Sequence, residues 1–184
     1  MKTVYFTATS LDGYIAAPDN NLDWLLQFAA EDPTFSEFIK DIGAICMGSS
    51  TYEWVLKHDT YADPSNPKPW VYEQPTWIFT SRTLKSVENA DIRFVKGDVR
   101  PVYEQMREVA GGKNIWIVGG GHLAAQFYEH GLLDEIVATF APVILTEGAP
   151  LFTTSIIKPP LRILSVQQVG DTFIQVRLEV PKKS

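Results

Sequence analysis

Cysteine is nearly absent from this chain, since Cys46 is the single cysteine among 184 residues. One thiol cannot form an internal disulfide, and this one lies in the apolar run Ile42 to Met47, which predicts a buried and unreactive group. The three histidines are His58, His122 and His130. They have no metal-ligand spacing with one another or with the cysteine, so we expect no bound metal.

Positive charge and long apolar runs are also scarce. Lysine and arginine total 16 against 22 aspartates and glutamates, which gives a formal net charge of −6. Such a balance repels phosphate backbones, so nucleic acid is not an expected partner. The longest apolar stretch, Ile136 to Leu145, contains a proline and is too short to cross a bilayer, and the N-terminus has no signal core. We therefore expect a cytoplasmic protein with no membrane partner.

What the chain does contain is the composition of a globular protein. Hydrophobic residues make up 45% and charged residues 21%, close to the averages for folded domains. The length fits one ordinary domain with a sizeable core. Because no repeat, charge block or linker divides it, residues 1 to 184 are predicted to form a single domain.

Apolar runs of strand length alternate with helical stretches, a pattern that predicts an α/β fold with a central, mostly parallel sheet flanked by helices. The predicted strands are Thr3 to Thr9, Gly43 to Met47, Thr76 to Thr80, Ile92 to Val95, Asn114 to Val118 and Glu135 to Leu145. The predicted helices are Pro33 to Asp41, Thr51 to Lys57, Arg100 to Ala110 and His122 to His130. A C-terminal antiparallel hairpin is predicted from Leu161 to Val169 and from Thr172 to Val180, across the two-residue turn Gly170-Asp171.

Three consecutive glycines, Gly119 to Gly121, stand between the apolar strand Asn114 to Val118 and a predicted helix. Residues without side chains let backbone N–H groups approach a ligand closely, and a helix N-terminus carries partial positive charge. A tight strand-to-helix turn is the alternative, but it needs fewer glycines. The corner therefore favours contact with a phosphate group.

Other predicted strand ends also carry glycine, hydroxyl or cationic residues. These are Gly48, Ser49, Ser50 and Thr51 after one strand, Thr80, Ser81 and Arg82 after the next, and Lys96 after a third. The spacing of Ser50 and Glu53 is also that of a helix capping box, which by itself would explain those two residues. Because parallel strands end at one edge of a sheet, the set predicts a polyanionic ligand along that edge.

Three further features have a structural and a functional interpretation. The proline-rich stretch His58 to Pro75 predicts a long loop, which either covers a pocket or is a surface insertion. Trp24 and Trp70 lie in irregular segments and belong to the core or line a ring-binding pocket. Asp32 precedes Pro33 as a helix N-cap would, and a carboxyl group there is also a candidate proton donor.

Taken in order, these motifs resemble a known family. They are Ala8-x-Ser10-Leu11-Asp12-Gly13-x-Ile15-Ala16, Met47-Gly48-x-x-Thr51-Tyr52-Glu53, Thr80-Ser81-Arg82, Val118-Gly119-Gly120-Gly121 and Leu132-Leu133-Asp134-Glu135-Ile136. The set resembles the dihydrofolate-reductase-like superfamily and, within it, a stand-alone RibD C-terminal domain without the deaminase half. The resemblance implies a three-layer dihydrofolate-reductase-like fold, an NADPH-dependent reductase acting on a small molecule, and a homodimer.

The resemblance also implies roles for individual positions. Contacts to the nicotinamide are implied for Ala8, Ile15 and Ala16, and contacts to the diphosphate and adenosine for Gly48, Ser49, Ser50 and Thr51. Contacts to the ribose 2′-phosphate are implied for Thr80, Ser81, Arg82 and Lys96. Contacts to the pyrophosphate are implied for Val118, Gly119, Gly120, Gly121, His122 and Leu123. Asp32 corresponds to the acid in the pocket of folate reductases, which makes it the candidate catalytic residue.

The chain departs from the family pattern at three positions. Ser49 stands where many members carry an arginine, so NADPH selection depends on Arg82 and Lys96. Gly119 and Tyr14 stand where the riboflavin-type reductases typically have glutamate and often lysine. We therefore expect a reductase for a small heterocyclic substrate. The alternatives are the 5-amino-6-(5-phosphoribosylamino)uracil reductase of riboflavin biosynthesis and a non-catalytic nucleotide-binding module.

Overall fold

The computed structural model describes residues 1–28 and 33–182. Their main feature is an eight-stranded sheet, and a separate two-stranded sheet lies beside it. The strands are β1 (Thr3–Ser10), β2 (Tyr14–Ala16), β3 (Ile42–Gly48), β4 (Thr76–Phe79), β5 (Ile92–Val95), β6 (Asn114–Gly119), β7 (Glu135–Ala141), β8 (Ala149–Pro150), β9 (Arg162–Val169) and β10 (Phe173–Glu179). The order in the large sheet is β5-β4-β3-β6-β1-β7-β10-β9.

The sheet is parallel from β5 to β7 and antiparallel in the terminal hairpin, β9 and β10. The central strand β1 is buried along Thr3–Phe6, as expected for a parallel strand covered on both faces. This arrangement confirms the predicted α/β class, with a mostly parallel sheet and a C-terminal antiparallel hairpin.

Helices cover both faces of the large sheet. They are α1 (Asp23–Leu26), α2 (Pro33–Phe38), α3 (Ser49–Val55), α4 (Val99–Ala110) and α5 (Gly121–Glu129). One buried cluster contains residues of α4 and α5 and the other contains residues of α3, and the central strands contribute to both. Among residues 1–28 and 33–182, no helix is both long and apolar enough to cross a membrane.

The predicted strand Glu135 to Leu145 is four residues too long. In the structure β7 ends at Ala141, because Pro142 lacks the N–H that a strand interior needs. The amide of Val143 donates to the carbonyl of Ala141 at 2.8 Å, which turns the chain away from the sheet. The apolar residues after the proline belong to a loop near the strand ends.

Three short elements were missed: α1, β2 and β8. β2 and β8 form the small antiparallel sheet, which is fastened by the amide of Leu151 donating to the carbonyl of Gly13 at 2.8 Å. Elements of two to four residues lack the length that makes periodicity visible.

The hairpin is confirmed, but its turn has three residues rather than two, because Val169 pairs with Phe173. Gly170 adopts a left-handed φ of 57° in this turn. Gln175 points inward, and its amide donates to Thr139 Oγ1 at 3.0 Å, whereas Ile174 is 51% exposed. The apolar side of β10 is therefore the more exposed one.

Candidate functional site

The candidate site lies where the direction of chain connection reverses in the sheet. β3 and β6 are neighbours; the chain runs from β3 outward to β4 and from β6 across β1 to β7. In open α/β sheets ligands bind at such a switch point, outside the carboxyl ends of the strands. A cavity of about 520 Å³ opens there between Gly48 and Gly119.

This cavity brings together most of the residues predicted to bind a cofactor. Its lining includes Ile15, Ala16, Gly48, Ser49, Ser50, Thr51, Val118, Gly119, Gly120, Gly121, His122 and Leu123. Ala8, Thr80, Ser81, Arg82 and Lys96 are not among the lining residues that the structure describes. The cavity lining joins segments distant in sequence because parallel strands end at one edge.

Bare backbone forms one wall of the cavity. A Cβ atom on Gly120 would lie 3.5 Å from Cδ1 of Ile15, and one on Gly119 would lie 3.3 Å from Oγ1 of Thr51. The Gly119–Gly120 peptide bond is cis. Helix α5 begins directly afterwards, and its N-cap Gly120 provides no side-chain hydrogen bond, so its first N–H groups need other acceptors.

The sequence explains the glycine at position 121 by a phosphate contact, but the structure gives another reason. A Cβ atom there would lie 2.5 Å from the carbonyl oxygens of both Pro150 and Leu151. The neighbouring backbone of this protein, rather than a ligand, therefore excludes a side chain at this position.

The predicted capping box at the start of α3 does not form. Gly48 is the N-cap, and no side chain of the described residues caps the helix. Glu53 instead accepts hydrogen bonds from both terminal nitrogens of Arg82, at 3.1 and 2.6 Å. Arg82 is thus held in an ion pair with Glu53. The predicted phosphate contacts of Arg82 and Lys96 stay predictions.

The Ser10-Leu11-Asp12-Gly13 motif has a clear structural role. The Asp12 carboxylate accepts from the Ser10 hydroxyl at 2.6 Å and from the amides of Leu145 and Thr146 at 3.1 and 2.8 Å. Asp12 thereby joins the turn before β2 to the loop after β7. Since β2 carries Ile15 and Ala16, the motif positions one side of the cavity.

These hydrogen bonds, that of Ser10 first, lower the pKa of Asp12 to about 2 from its ordinary value of 3.8. A carboxyl group with a lowered pKa in the folded state stabilises the protein above its unfolded pKa, and this contribution disappears as pH falls through the folded pKa. We expect Asp12→Ala to be less stable than the wild type by a constant amount above about pH 4, with a difference that shrinks toward about pH 2. Urea denaturation across this range measures the difference; one that does not change with pH would contradict the assignment.

Aromatic side chains that the sequence did not single out line the cavity. They are Trp54 of α3, Tyr72 of the proline-rich stretch and Phe79 of β4. The tryptophans considered for a ring-binding pocket, Trp24 and Trp70, are instead buried in the core, 8% and 9% exposed. The predicted loop begins with a π turn, Leu56–Thr60, and then brings Tyr72 to the site.

A second hollow, of about 450 Å³, adjoins the cavity and shares Asn20, Leu22, Ser50 and Trp54 with it.

Asp32, the candidate catalytic residue, lies outside the described residues. Among the residues that are described, no group of three or more histidine, cysteine, aspartate or glutamate side chains is placed to hold a metal ion. Cys46 is fully buried, which raises its pKa and confirms the predicted burial.

Comparison with known proteins connects this geometry to a family. The family model of the RibD C-terminal domain matches residues 55–174 of this chain. The uncharacterized protein YwjB of Bacillus subtilis (strain 168) is 32% identical over 170 residues, covering 92% of each chain.

Solved structures agree in fold. The "Putative riboflavin biosynthesis protein" from Shewanella sp. PV-4 superposes with a TM-score of 0.80 at 27% identity, covering 100% of both chains. Dihydrofolate reductase from Enterococcus faecalis, complexed with NADP(H), gives a TM-score of 0.60 at 16% identity and covers 97% of this chain and 95% of its own. The predicted dihydrofolate-reductase-like fold is confirmed.

Proposed function

Because the chain belongs to the RibD C-terminal domain family, a family of reductases, we propose that it reduces a small heterocyclic substrate with NADPH as the hydride donor. The observation that carries the proposal is the cavity at the switch point. Its lining includes the bare glycine backbone of Gly119 and Gly120 and the side chain of Ile15, so a ligand in the cavity can approach the backbone closely. When bound, NADPH supplies the hydride, and the protein supplies orientation and exclusion of water.

The residues present suit such a dinucleotide. The start of α5 offers N–H groups to a diphosphate, and Ser49, Ser50 and Thr51 add hydroxyl groups at the opposite edge. The described cavity lining contains no aspartate or glutamate that would repel the phosphates. Ile15 and Ala16 border the part of the cavity proposed for the nicotinamide.

The test is a titration of the protein with NADPH and NADH, followed by a substrate screen. Trp54 lines the cavity, so quenching of tryptophan fluorescence reports binding. We expect micromolar binding of NADPH, about −8 kcal/mol, and NADPH oxidation with at least one heterocyclic compound. If neither NADPH nor NADH binds, the proposal is refuted.

We expect Arg82→Ala to reduce the preference for NADPH over NADH about tenfold. A guanidinium group contacting the 2′-phosphate contributes one charge-assisted hydrogen-bonding interaction, about 1.5 kcal/mol. The dissociation constants of both nucleotides are the measurement, and Arg107→Ala, on the distant helix α4, is the control. If Arg82→Ala weakens both nucleotides equally, Arg82 does not contact the 2′-phosphate.

A second candidate is the reduction of 5-amino-6-(5-phosphoribosylamino)uracil. It is favoured by the structural similarity to the Shewanella protein, whose name refers to riboflavin biosynthesis. Direct assay with this compound distinguishes the two candidates: rapid NADPH oxidation with it would establish the riboflavin activity.

We also propose that the protein forms a homodimer through the apolar face of β9 and β10. Ile163, Val166 and Ile174 are 65%, 59% and 51% exposed on this face. Val166 pairs with Val176, so both lie on the same side of the hairpin. The pairs Ile174–Gln168 and Leu178–Ile163 add no charge to the face, so a second copy meets it without like-charge repulsion.

We expect Val166→Lys to convert the dimer into a monomer, because the new charge would be buried without a partner. Sedimentation equilibrium measures the mass, and Gln105→Lys, an exposed position on α4, is the control with the same charge change. A monomeric wild type would contradict the homodimer, and a dimeric Val166→Lys variant would place the interface elsewhere.

A further inference from the structure

We propose that the substrate is a planar ring compound without a phosphate group, held against an aromatic wall formed by Trp54 and Tyr72. This inference rests on the proposed function, since it concerns the substrate side of the same cavity. It is carried by three observations: the fixed rings of the wall, the free hydroxyl group of Tyr72, and the charges around the wall.

The two rings are held in place by their neighbours. The ring of His58 stacks on Trp54 with a centroid distance of 4.4 Å and an interplanar angle of 18°. Tyr72 packs edge to face on Trp116 at 5.3 Å and on Trp70 at 5.5 Å. Rings fixed in advance lose little entropy when a flat ligand packs against them. The wall therefore suits an aromatic heterocycle better than an aliphatic compound.

The hydroxyl group of Tyr72 provides polar recognition on this wall. Among the described residues it has no hydrogen-bond partner, and Tyr72 lines the cavity. Burial, with a contribution from Asp59, raises its pKa to about 12, so the group keeps its proton at neutral pH. A neutral phenol donates one hydrogen bond, for which a ring nitrogen or a ring carbonyl oxygen is a suitable acceptor.

The charges near the wall disfavour a phosphate. No lysine or arginine is among the described residues that line the cavity. The adjoining hollow is lined by two acids, Asp19 and Asp23, and by one lysine, Lys57. Its third acid, Glu53, is paired with Arg82.

A further observation points the same way. Asp59 acts electrostatically on Tyr72, which adds a negative charge close to the wall. A phosphate dianion needs cations or several N–H donors, and the N–H groups of α5 are already assigned to the cofactor.

The test compares ring compounds that differ only by a phosphate group: riboflavin with flavin mononucleotide, and pyridoxine with its 5′-phosphate. Binding is measured by equilibrium dialysis without nucleotide, so failure of NADPH binding does not affect the result. We expect at least one free compound to bind at least about tenfold more tightly than its phosphorylated partner. Equal or tighter binding of the phosphorylated partners, or no binding of either free compound, would overturn the proposal.

Variants locate the effect at the wall. We expect Trp54→Leu to weaken binding of the free ring at least about tenfold, and Tyr72→Phe about fivefold. Tyr61→Phe, which makes the same change in the same loop outside the cavity lining, is the control. Unchanged ring binding in both Trp54→Leu and Tyr72→Phe would overturn the proposal.

Asp23→Lys tests the charge argument. It should reduce the discrimination against the phosphorylated partner at least about threefold, because a cation replaces an anion in the adjoining hollow. Glu108→Lys, on α4 and far from the hollow, makes the same change in net charge and should leave the discrimination unchanged. Equal effects of the two variants would show that net charge, not the local arrangement, sets the preference.

Discussion

Replacing Gly48 by leucine should weaken NADPH binding at least about 30-fold, or about 2 kcal/mol, while the protein stays folded. Gly48 has φ −79° and ψ 165°, an extended conformation that any residue adopts. A Cβ atom there would lie 3.8 Å from the carbonyl oxygen of Gly119 and 3.9 Å from the amide nitrogen of Gly120, which is ordinary contact. The remaining atoms of a leucine would extend into the cavity proposed for the cofactor.

The measurement is the fluorescence titration with NADPH, accompanied by urea denaturation to establish folding. Gly48→Ala is the graded control, since a single methyl group fits without a clash and should cost about threefold or less in affinity. A folded Gly48→Leu variant that binds NADPH as tightly as the wild type would place the cofactor elsewhere.

Replacing Gly121 by alanine should destabilise the fold by about 3 kcal/mol or more. The new methyl carbon would lie 2.5 Å from two backbone carbonyl oxygens, those of Pro150 and Leu151. Backbone atoms cannot rotate away as a side chain does, so relief requires α5 and the segment around β8 to separate. Gly121 is buried, which leaves little room for that movement.

Urea denaturation measures the loss, with Gly48→Ala as the matched control that adds the same methyl group at the other strand end. We expect the control to change the free energy of unfolding by no more than about 0.5 kcal/mol. Similar stability of the two variants would mean that the approach of residues 150 and 151 to α5 is not close in solution.

The large elements and most of the cavity could be predicted from the sequence, because both depend on local signals. Runs such as Thr3 to Thr9 have the length and apolar content of strands, and the predicted helix Pro33 to Asp41 matches α2 followed by a 3₁₀ turn. Gly48 and Gly119 directly follow the predicted strands, and in the structure they are the last residues of β3 and β6. Since neighbouring parallel strands end at the same edge, the prediction that these glycines meet follows from the fold class.

The partners of single side chains could not be predicted in the same way. Glu53 has the spacing of a capping residue, yet it pairs with Arg82, which is distant in sequence and adjacent only because β3 and β4 are neighbours. Gly121 has the local context of a phosphate-binding glycine, yet the backbone of residues 150 and 151 accounts for it. Tyr72 has no local signal at all, since nothing in a proline-rich loop indicates which side chain turns inward.

By itself the sequence determined the α/β class and the position of the glycine-lined edge, because hydrophobic periodicity and strand-end residues act over a few neighbouring positions. The family was indicated by the resemblance of its ordered motifs. The tertiary structure alone decided which aromatic rings face the cavity, which charges surround them and which face of the terminal hairpin is left apolar and exposed. These properties depend on contacts between segments that are distant along the chain, and no local pattern encodes the side-chain directions that packing selects.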